Sequence, residues 1–284
     1  MTAERFRVYV INLDRSPDRL AHMRTQLERA GLTFERAPGI LGGELPAHLK
    51  PWFCGGEGRI VSPLKLGEIG CDAAHLAVHL KIAAGDYAPV ALILEDDVTV
   101  SPDLASIICE ALDQMPATWD ILRLSNAPKR AYAPLADLGG NRQLVRYSKV
   151  PNSAAAYLLS REGARKLSRP GLRTRVIDEY LRRPWLAGLD TYGVVPPPVV
   201  DGAFASTIDA QTPRRYGARG FDPVVMLKRS SLANLPAMLA WNVRSLGLAR
   251  WIGCALVNAA DRIARRATGR TIIHAAAGWL HRLP

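Results

Sequence analysis

The chain has 284 residues, 48% hydrophobic and 22% charged, a globular composition that excludes a disordered or fibrous protein. No run approaches the ~18–20 apolar residues of a spanning helix. The four scattered cysteines, Cys54, Cys71, Cys109 and Cys254, form no CxxC pair, which excludes a zinc knuckle and suits a reducing compartment. The net charge of +11 is concentrated: residues 212–284 carry twelve basic and two acidic side chains, while residues 1–211 are nearly neutral. The sequence therefore divides into a globular body, 1–211, and a basic tail, 212–284, that meets something anionic.

In chain order, residues 6–13 (FRVYVINL) predict a strand. Ser16-Pro17 opens a helix that runs through 19–30 and stops at Gly31, and residues 32–37 predict a second strand. This βαβ opening is the usual start of a nucleotide-binding α/β layer. Residues 38–63, rich in Gly and Pro, are long for a loop and suggest a functional lid. A helix over 68–84 precedes the continuous apolar run 90–94, which predicts a strand buried on both faces. A helix follows from Ser101-Pro102 to Met115, then strands at 119–124, 144–147 and 154–159. Helices at 161–167 and 175–187, the latter interrupted at Pro184, lead to a strand at 191–195. The N-terminal stretch lacks the apolar length and cleavage site of a signal peptide. In the tail, a helix such as 239–266 places Val243, Leu246, Ile252, Leu256 and Ile263 on one side with arginines at its flanks and tryptophans interleaved. Such a helix suits the interface of an anionic membrane. Nucleic acid is not expected, because the body has no matching basic face.

Three clusters carry candidate chemistry. Glu95, Asp96 and Asp97 crowd like charges at the end of a buried strand, which a hard cation such as Mn²⁺ or Mg²⁺ would offset. In extended backbone Glu95 and Asp97 share a face, leaving Asp96 on the other. An acidic turn with a helix-capping role is the bland alternative. Asn12, Leu13, Arg15 and Arg19, at the end of the first strand and the start of its helix, suit a nucleotide phosphate or a local ion-pair cluster. Asp72, His75 and His79 fall on one helix face, as metal ligands or, more simply, as core or pocket residues; Cys71 points elsewhere on that helix.

The ordered blocks VYVINLDRSPDR, LKLGEIGCDAAHLAV, ALILEDDV, WDILRLSN, AAAYLLSREGARKL, VIDEYL and PPPVVDGAFASTI, over residues 6–208, resemble glycosyltransferase family 25. That family contains bacterial lipopolysaccharide and lipooligosaccharide glycosyltransferases and animal collagen galactosyltransferases. The resemblance implies a GT-A-like, Rossmann-like fold: a mixed, mainly parallel sheet flanked by helices, here followed by a basic amphipathic helical tail. It implies a UDP-sugar donor and Mn²⁺ (or Mg²⁺), with metal ligands Glu95 and Asp97 and with Glu95 also working in catalysis. Donor contacts would come from Asn12, Leu13, Arg15, Arg19, Glu68, His75, Glu95, Asp96, Ser206 and Thr207. Asp178 matches a later acidic position on the acceptor side and is the expected base, with Glu179 and Asp190 as runners-up. Two departures stand out: Ala74 where the family often has Ser before the block's His, and APGILGGE, around Leu41, in place of a stretch containing Asp.

The expected activity is transfer of a hexose, galactose favoured, from a UDP-sugar to a lipopolysaccharide-type or other lipid-linked saccharide. The tail would hold the enzyme on the inner face of the cytoplasmic membrane. A metal-dependent phosphohydrolase and a non-catalytic, membrane-docked nucleotide-sugar-binding protein are the alternatives.

Overall fold

The computed structural model describes residues 5–85, 89–202 and 234–283. The chain runs β1 (Arg7–Asn12), α1 (Pro17–Arg29), β2 (Glu35–Pro38), α2 (Leu66–Ala84), β3 (Val90–Glu95), β4 (Val98–Val100) and α3 (Leu104–Gln114). It continues through β5 (Ile121–Arg123), β6 (Tyr132–Leu138), β7 (Arg142–Tyr147), β8 (Ala156–Ser160), α4 (Arg161–Leu167), α5 (Ile177–Arg182), β9 (Thr191–Val195) and β10 (Val199–Asp201). Among the described residues of the tail, three helices follow: α6 (Leu235–Leu246), α7 (Leu248–Thr268) and α8 (Ala277–His281).

The main sheet has the order β2-β1-β3-β8-β5-β9-β7-β6. It is mixed: β2-β1-β3 and β5-β9 pair in parallel, β8 enters antiparallel between β3 and β5, and β7 and β6 complete an antiparallel edge. Alternation along β3 explains why the sheet is covered on both sides. Leu92 and Leu94 face Met23 and Leu27 of α1 and Ile107 and Ile108 of α3. Ala91 and Ile93 face Val78 and Ile82 of α2 and Leu181 of α5. Leu92, Ile93 and Leu94 are fully buried, each worth ~1.5–3 kcal/mol of transfer free energy. The buried run read from the sequence is thus the central strand.

The segment expected as a lid is a packed cover. Its 3₁₀ turn, Ala47–Trp52, places Leu49, Trp52 and Phe53 in a small core with Ile69, Ala73 and Leu76 of α2. The Trp52 indole donates to the Arg169 carbonyl at 3.0 Å. Beside the site, the cover meets α2 backbone to backbone. A Cβ on Gly70 would lie 2.3 Å from the Ile40 carbonyl oxygen, and one on Gly42 would lie 2.0 Å from that of Leu66.

The described part of the tail, 234–283, is an integral layer rather than one long surface helix. Gly247, at φ 78°, breaks it into α6 and α7. Trp241 is buried and donates to the Leu189 carbonyl at 2.9 Å, and Asn258 accepts from the Ala131 N–H at 2.8 Å. Leu246, Cys254, Val257 and Leu280 close over Ala131 and Ala133 at the β6 edge. No described helix is long and apolar enough to cross a membrane. Gly70→Ala should lower stability by about 1–3 kcal/mol, because backbone cannot yield as a side chain can. An unchanged denaturation midpoint would contradict this packing.

Candidate active site

A cavity of about 350 Å³ opens at the carboxyl ends of β1 and β3, beneath the cover and the first turns of α2. Asn12, Leu13, Arg15, Arg19, His75, Glu95, Asp96 and Asp97 all line it. Ligands commonly sit beyond the strand ends of such parallel units.

The three acids take different roles because the chain turns at Asp96-Asp97. Asp96 is buried and held from both sides. The Asn12 amide donates to its Oδ2 at 2.6 Å and the Arg19 guanidinium to its Oδ1 at 3.0 Å. The Arg36 Nε in turn donates to the Asn12 Oδ1 at 3.1 Å, fixing that amide. Asp97 is half-buried and lies 3.7 Å from Arg19. Burial first, and then Glu95 and Asp96, push its carboxyl up to about 6, against the pull of Arg19. Its turn is closed by the short β4–β10 ladder, where the Gly202 N–H donates to the Asp97 carbonyl at 2.8 Å.

Glu95 is aligned by a chain of rings. His75 Nε2 lies 3.3 Å from Glu95 Oε1, His75 Nδ1 lies 2.9 Å from the Tyr157 hydroxyl, and His79 Nε2 lies 2.7 Å from the same hydroxyl. One tautomer set satisfies all three contacts: His79 Nε2–H donates to Tyr157, Tyr157 O–H donates to His75 Nδ1, and His75 Nε2–H donates to Glu95. Burial keeps the His79 pKa well below the ordinary histidine range, so it is the neutral core histidine of the simpler reading.

Several expectations change. Cys71, expected to point away, faces the site: its sulfur, a His75 ring nitrogen and a Glu95 oxygen lie within 4.8 Å of one another. Residues 71 and 75 are one helical turn apart, so they share a face. Burial and the nearby Glu95 push the thiol well above its ordinary pKa, leaving it a protonated, poor partner for a hard cation. Asp72 is instead buried 3.7 Å from Arg173 and does not line the cavity. Glu68 does not line the cavity; its carboxylate accepts the Lys65 N–H at 2.9 Å and satisfies that donor at the start of α2. Ser206 and Thr207 lie outside the described residues.

Asp178 lies on α5, outside the cavity lining but within electrostatic reach of Glu95. Burial first, then Glu95, raises its pKa, and the Asn152 amide donates to it at 3.4 Å. The runners-up are engaged: Glu179 by Arg175 at 3.1 Å, and Asp190 by Arg146. Two residues missed from the sequence join this neighbourhood. Tyr157 carries the ring chain, and the fully buried Arg123 bonds the Ser153 carbonyl while its Nε and one Nη have no hydrogen-bond partner. A buried tyrosine must find a polar partner, and that signal was present in AAAYLL.

The carboxylate oxygens of Glu95 and Asp97 fit a hard divalent cation, Mn²⁺ or Mg²⁺, because the cluster holds more negative charge than Arg19 offsets. A raised folded-state pKa gives Asp97 a contribution to stability that is complete below about pH 3.8 and lost as pH rises through about 6. Asp97→Asn should therefore raise the Tm of the metal-free protein at pH 7.5 and remove part of the decline between pH 4 and 6. Added Mn²⁺ should raise the wild-type Tm and not that of the variant. A lower Tm for the metal-free variant would show that the cluster is not repulsive.

Residues 6–171 match the family described as Glycosyltransferase family 25 (LPS biosynthesis protein). A Xenopus laevis protein named procollagen galactosyltransferase 1-A is 25% identical over 192 residues, 61% of this chain and 30% of that protein. A Bos taurus protein named probable inactive glycosyltransferase 25 family member 3 is 29% identical over 192 residues, 61% of this chain and 31% of that one. The match thus spans under a third of the length of these relatives. Among solved structures, a Drosophila galactosyltransferase 7 mutant with manganese, UDP-Gal and xylobiose has a TM-score of 0.37 at 12% identity, covering 78% of this chain and 79% of its own, a likeness too low to carry an argument. The mixed, helix-flanked sheet with its acidic turn beyond β3 is the GT-A-like architecture that the resemblance implied, except that it is not mainly parallel: three of its pairings are parallel and four antiparallel, because β8 inserts between β3 and β5 and β6–β7 form a hairpin edge. With more than half of its length matched, the chain belongs to glycosyltransferase family 25.

Proposed function

We propose that the protein is a metal-dependent hexosyltransferase that moves a sugar, galactose favoured, from a UDP-sugar to a hydroxyl of a lipopolysaccharide-type or other lipid-linked saccharide. The observation that carries this reading is the convergence of Glu95, Asp96 and Asp97 with Asn12, Arg15 and Arg19 around one cavity. Such a cavity can take a diphosphate on its basic side and a cation on its acidic side. When bound, Mn²⁺ or Mg²⁺ supplies Lewis-acid neutralisation of the leaving diphosphate, and Glu95 and Asp97 are the residues that would hold it. Asn12 and Arg19 fix Asp96, and His75 orients Glu95. Asp178 accepts the acceptor hydroxyl's proton as its oxygen bonds to the anomeric carbon and the bond to UDP breaks. Its raised pKa suits a base working near neutrality. The packed cover excludes water that would otherwise hydrolyse the donor.

A second reading, a nucleotide-sugar-binding protein without turnover, is favoured by one observation: a relative of similar overlap is named as probably inactive. UDP release from UDP-sugars with Mn²⁺, with and without saccharide acceptors, separates the two. Transfer predicts acceptor-stimulated release that Asp97→Ala abolishes and Asp178→Asn reduces ~10²–10⁴-fold in kcat. Full activity of either variant would remove that residue's role. Binding of UDP with no release would favour the second reading.

The membrane part of the proposal rests on α7. Leu248, Ile252, Leu256 and Ile263 form an exposed stripe on the helix face opposite its buried residues, with Arg266 beside it. Trp241 and Trp251 turn inward, and Trp279 is the exposed tryptophan of the tail. The stripe and its arginine suit the inner, anionic face of the cytoplasmic membrane. Flotation with anionic vesicles should succeed for the wild type and fail for Ile252→Glu/Leu256→Glu. Equal flotation of both would contradict this orientation.

A further inference from the structure

A second cavity, of about 550 Å³, lies between the globular body and the tail helices and shares no lining residue with the first. Arg130 and Lys149 border it from the β6–β7 side, Arg182 and Arg183 from the end of α5, and Arg262 from α7. Among the described residues that line it none is acidic. The crowding is physical: partial desolvation, and then Arg130, Arg182 and Arg183, push the Lys149 pKa down although its side chain reaches solvent. Trp185, Trp241 and Trp251 form aromatic walls, with the first two ring centroids 6.2 Å apart. The Arg182 Nε and the Trp185 indole N–H are buried without hydrogen-bond partners. Arg183 lies 3.6 Å from Glu179, which is outside the lining, whereas the two buried donors are costly unless a ligand satisfies them.

Two of its walls continue to the candidate base. Arg182 is one helical turn after Asp178 on α5, and the strand end carrying Lys149 leads to Asn152, which donates to Asp178 at 3.4 Å. We infer that this cleft is the acceptor subsite and that it takes a saccharide bearing a phosphate or diphosphate group, the arginines holding the anion while the tryptophans face the sugar or the first carbons of a lipid. This inference rests on the glycosyltransferase reading for the word acceptor, but the anion site stands independently of it.

The test is calorimetric binding to the full chain, with Mn²⁺-dependent UDP binding measured in parallel as a control for the first cavity. Inorganic pyrophosphate without metal should bind the wild type, and Lys149→Glu/Arg182→Ala should weaken it at least tenfold while leaving UDP binding unchanged. Asp97→Ala should do the reverse. Because Lys149 is exposed, Lys149→Glu alone provides a variant that does not disturb packing, and it should weaken pyrophosphate severalfold. Glucose 1-phosphate and farnesyl diphosphate serve as further probes. Tighter binding of the first marks a soluble sugar phosphate, tighter binding of the second a lipid-linked acceptor, and either supports the site. Absence of pyrophosphate binding, or its loss in Asp97→Ala with retention in Lys149→Glu/Arg182→Ala, would overturn the inference. Loss of UDP binding in the wild type, with pyrophosphate binding intact, would instead count against the transferase reading alone.

Discussion

The structure turns on three carboxylates forced together where β3 leaves the core. A strand buried on both faces delivers Glu95, Asp96 and Asp97 to one point, and the surrounding elements can be understood by how they manage that charge. The β1–α1 junction supplies Asn12 and Arg19, which tie down Asp96. α2 supplies His75, whose ring holds Glu95 in line through Tyr157 and His79. The β4–β10 ladder secures the backbone of Asp97. What remains is an excess of negative charge at the mouth of a cavity, felt most by Asp97. A cluster held together against its own repulsion suits a cation site, since the ion would relieve a cost that the fold otherwise bears.

Much of this was legible in the sequence. Continuous apolar residues at 90–94 marked the central strand, and Ser16-Pro17 and Gly31 bracketed α1, because these signals are local. Other elements were not. β6 contains Pro134 and a register shift beside it, which hides its alternation, and such a strand is tolerated because it lies at the sheet edge. β4 and β10 are three residues each and exist by pairing across about a hundred residues, a long-range fact that no local pattern carries. The same limit governed the site. Extended-strand geometry leaves Asp96 facing away from Glu95 and Asp97, yet it is the best held of the three because the chain turns there. Cys71 was placed on the wrong side of its helix, although its spacing of four from His75 put both on one face.

The tail shows how composition can be right about chemistry and incomplete about structure. Basic and tryptophan-rich, it matched an interfacial helix. In the fold its apolar residues divide into two groups, one sealing the β6 edge and one left outward on α7. Its arginines divide as well, since Arg262 borders the inner cleft and Arg266 lies beside the outer stripe. The tail thereby builds a basic chamber against α5, close to Asp178, in addition to presenting a surface. The chain thus carries one cavity lined by Glu95, Asp96 and Asp97 and a second lined by arginines and Lys149, a division of charge on which the proposed donor and acceptor roles rest.

The most direct test of the central claim is titration of UDP into the protein by calorimetry, with and without Mn²⁺, for the wild type and for Asp97→Ala. The account predicts one UDP site in the wild type that requires the metal and is lost in the variant. UDP binding of equal strength with or without Mn²⁺, or retained in Asp97→Ala, would contradict it.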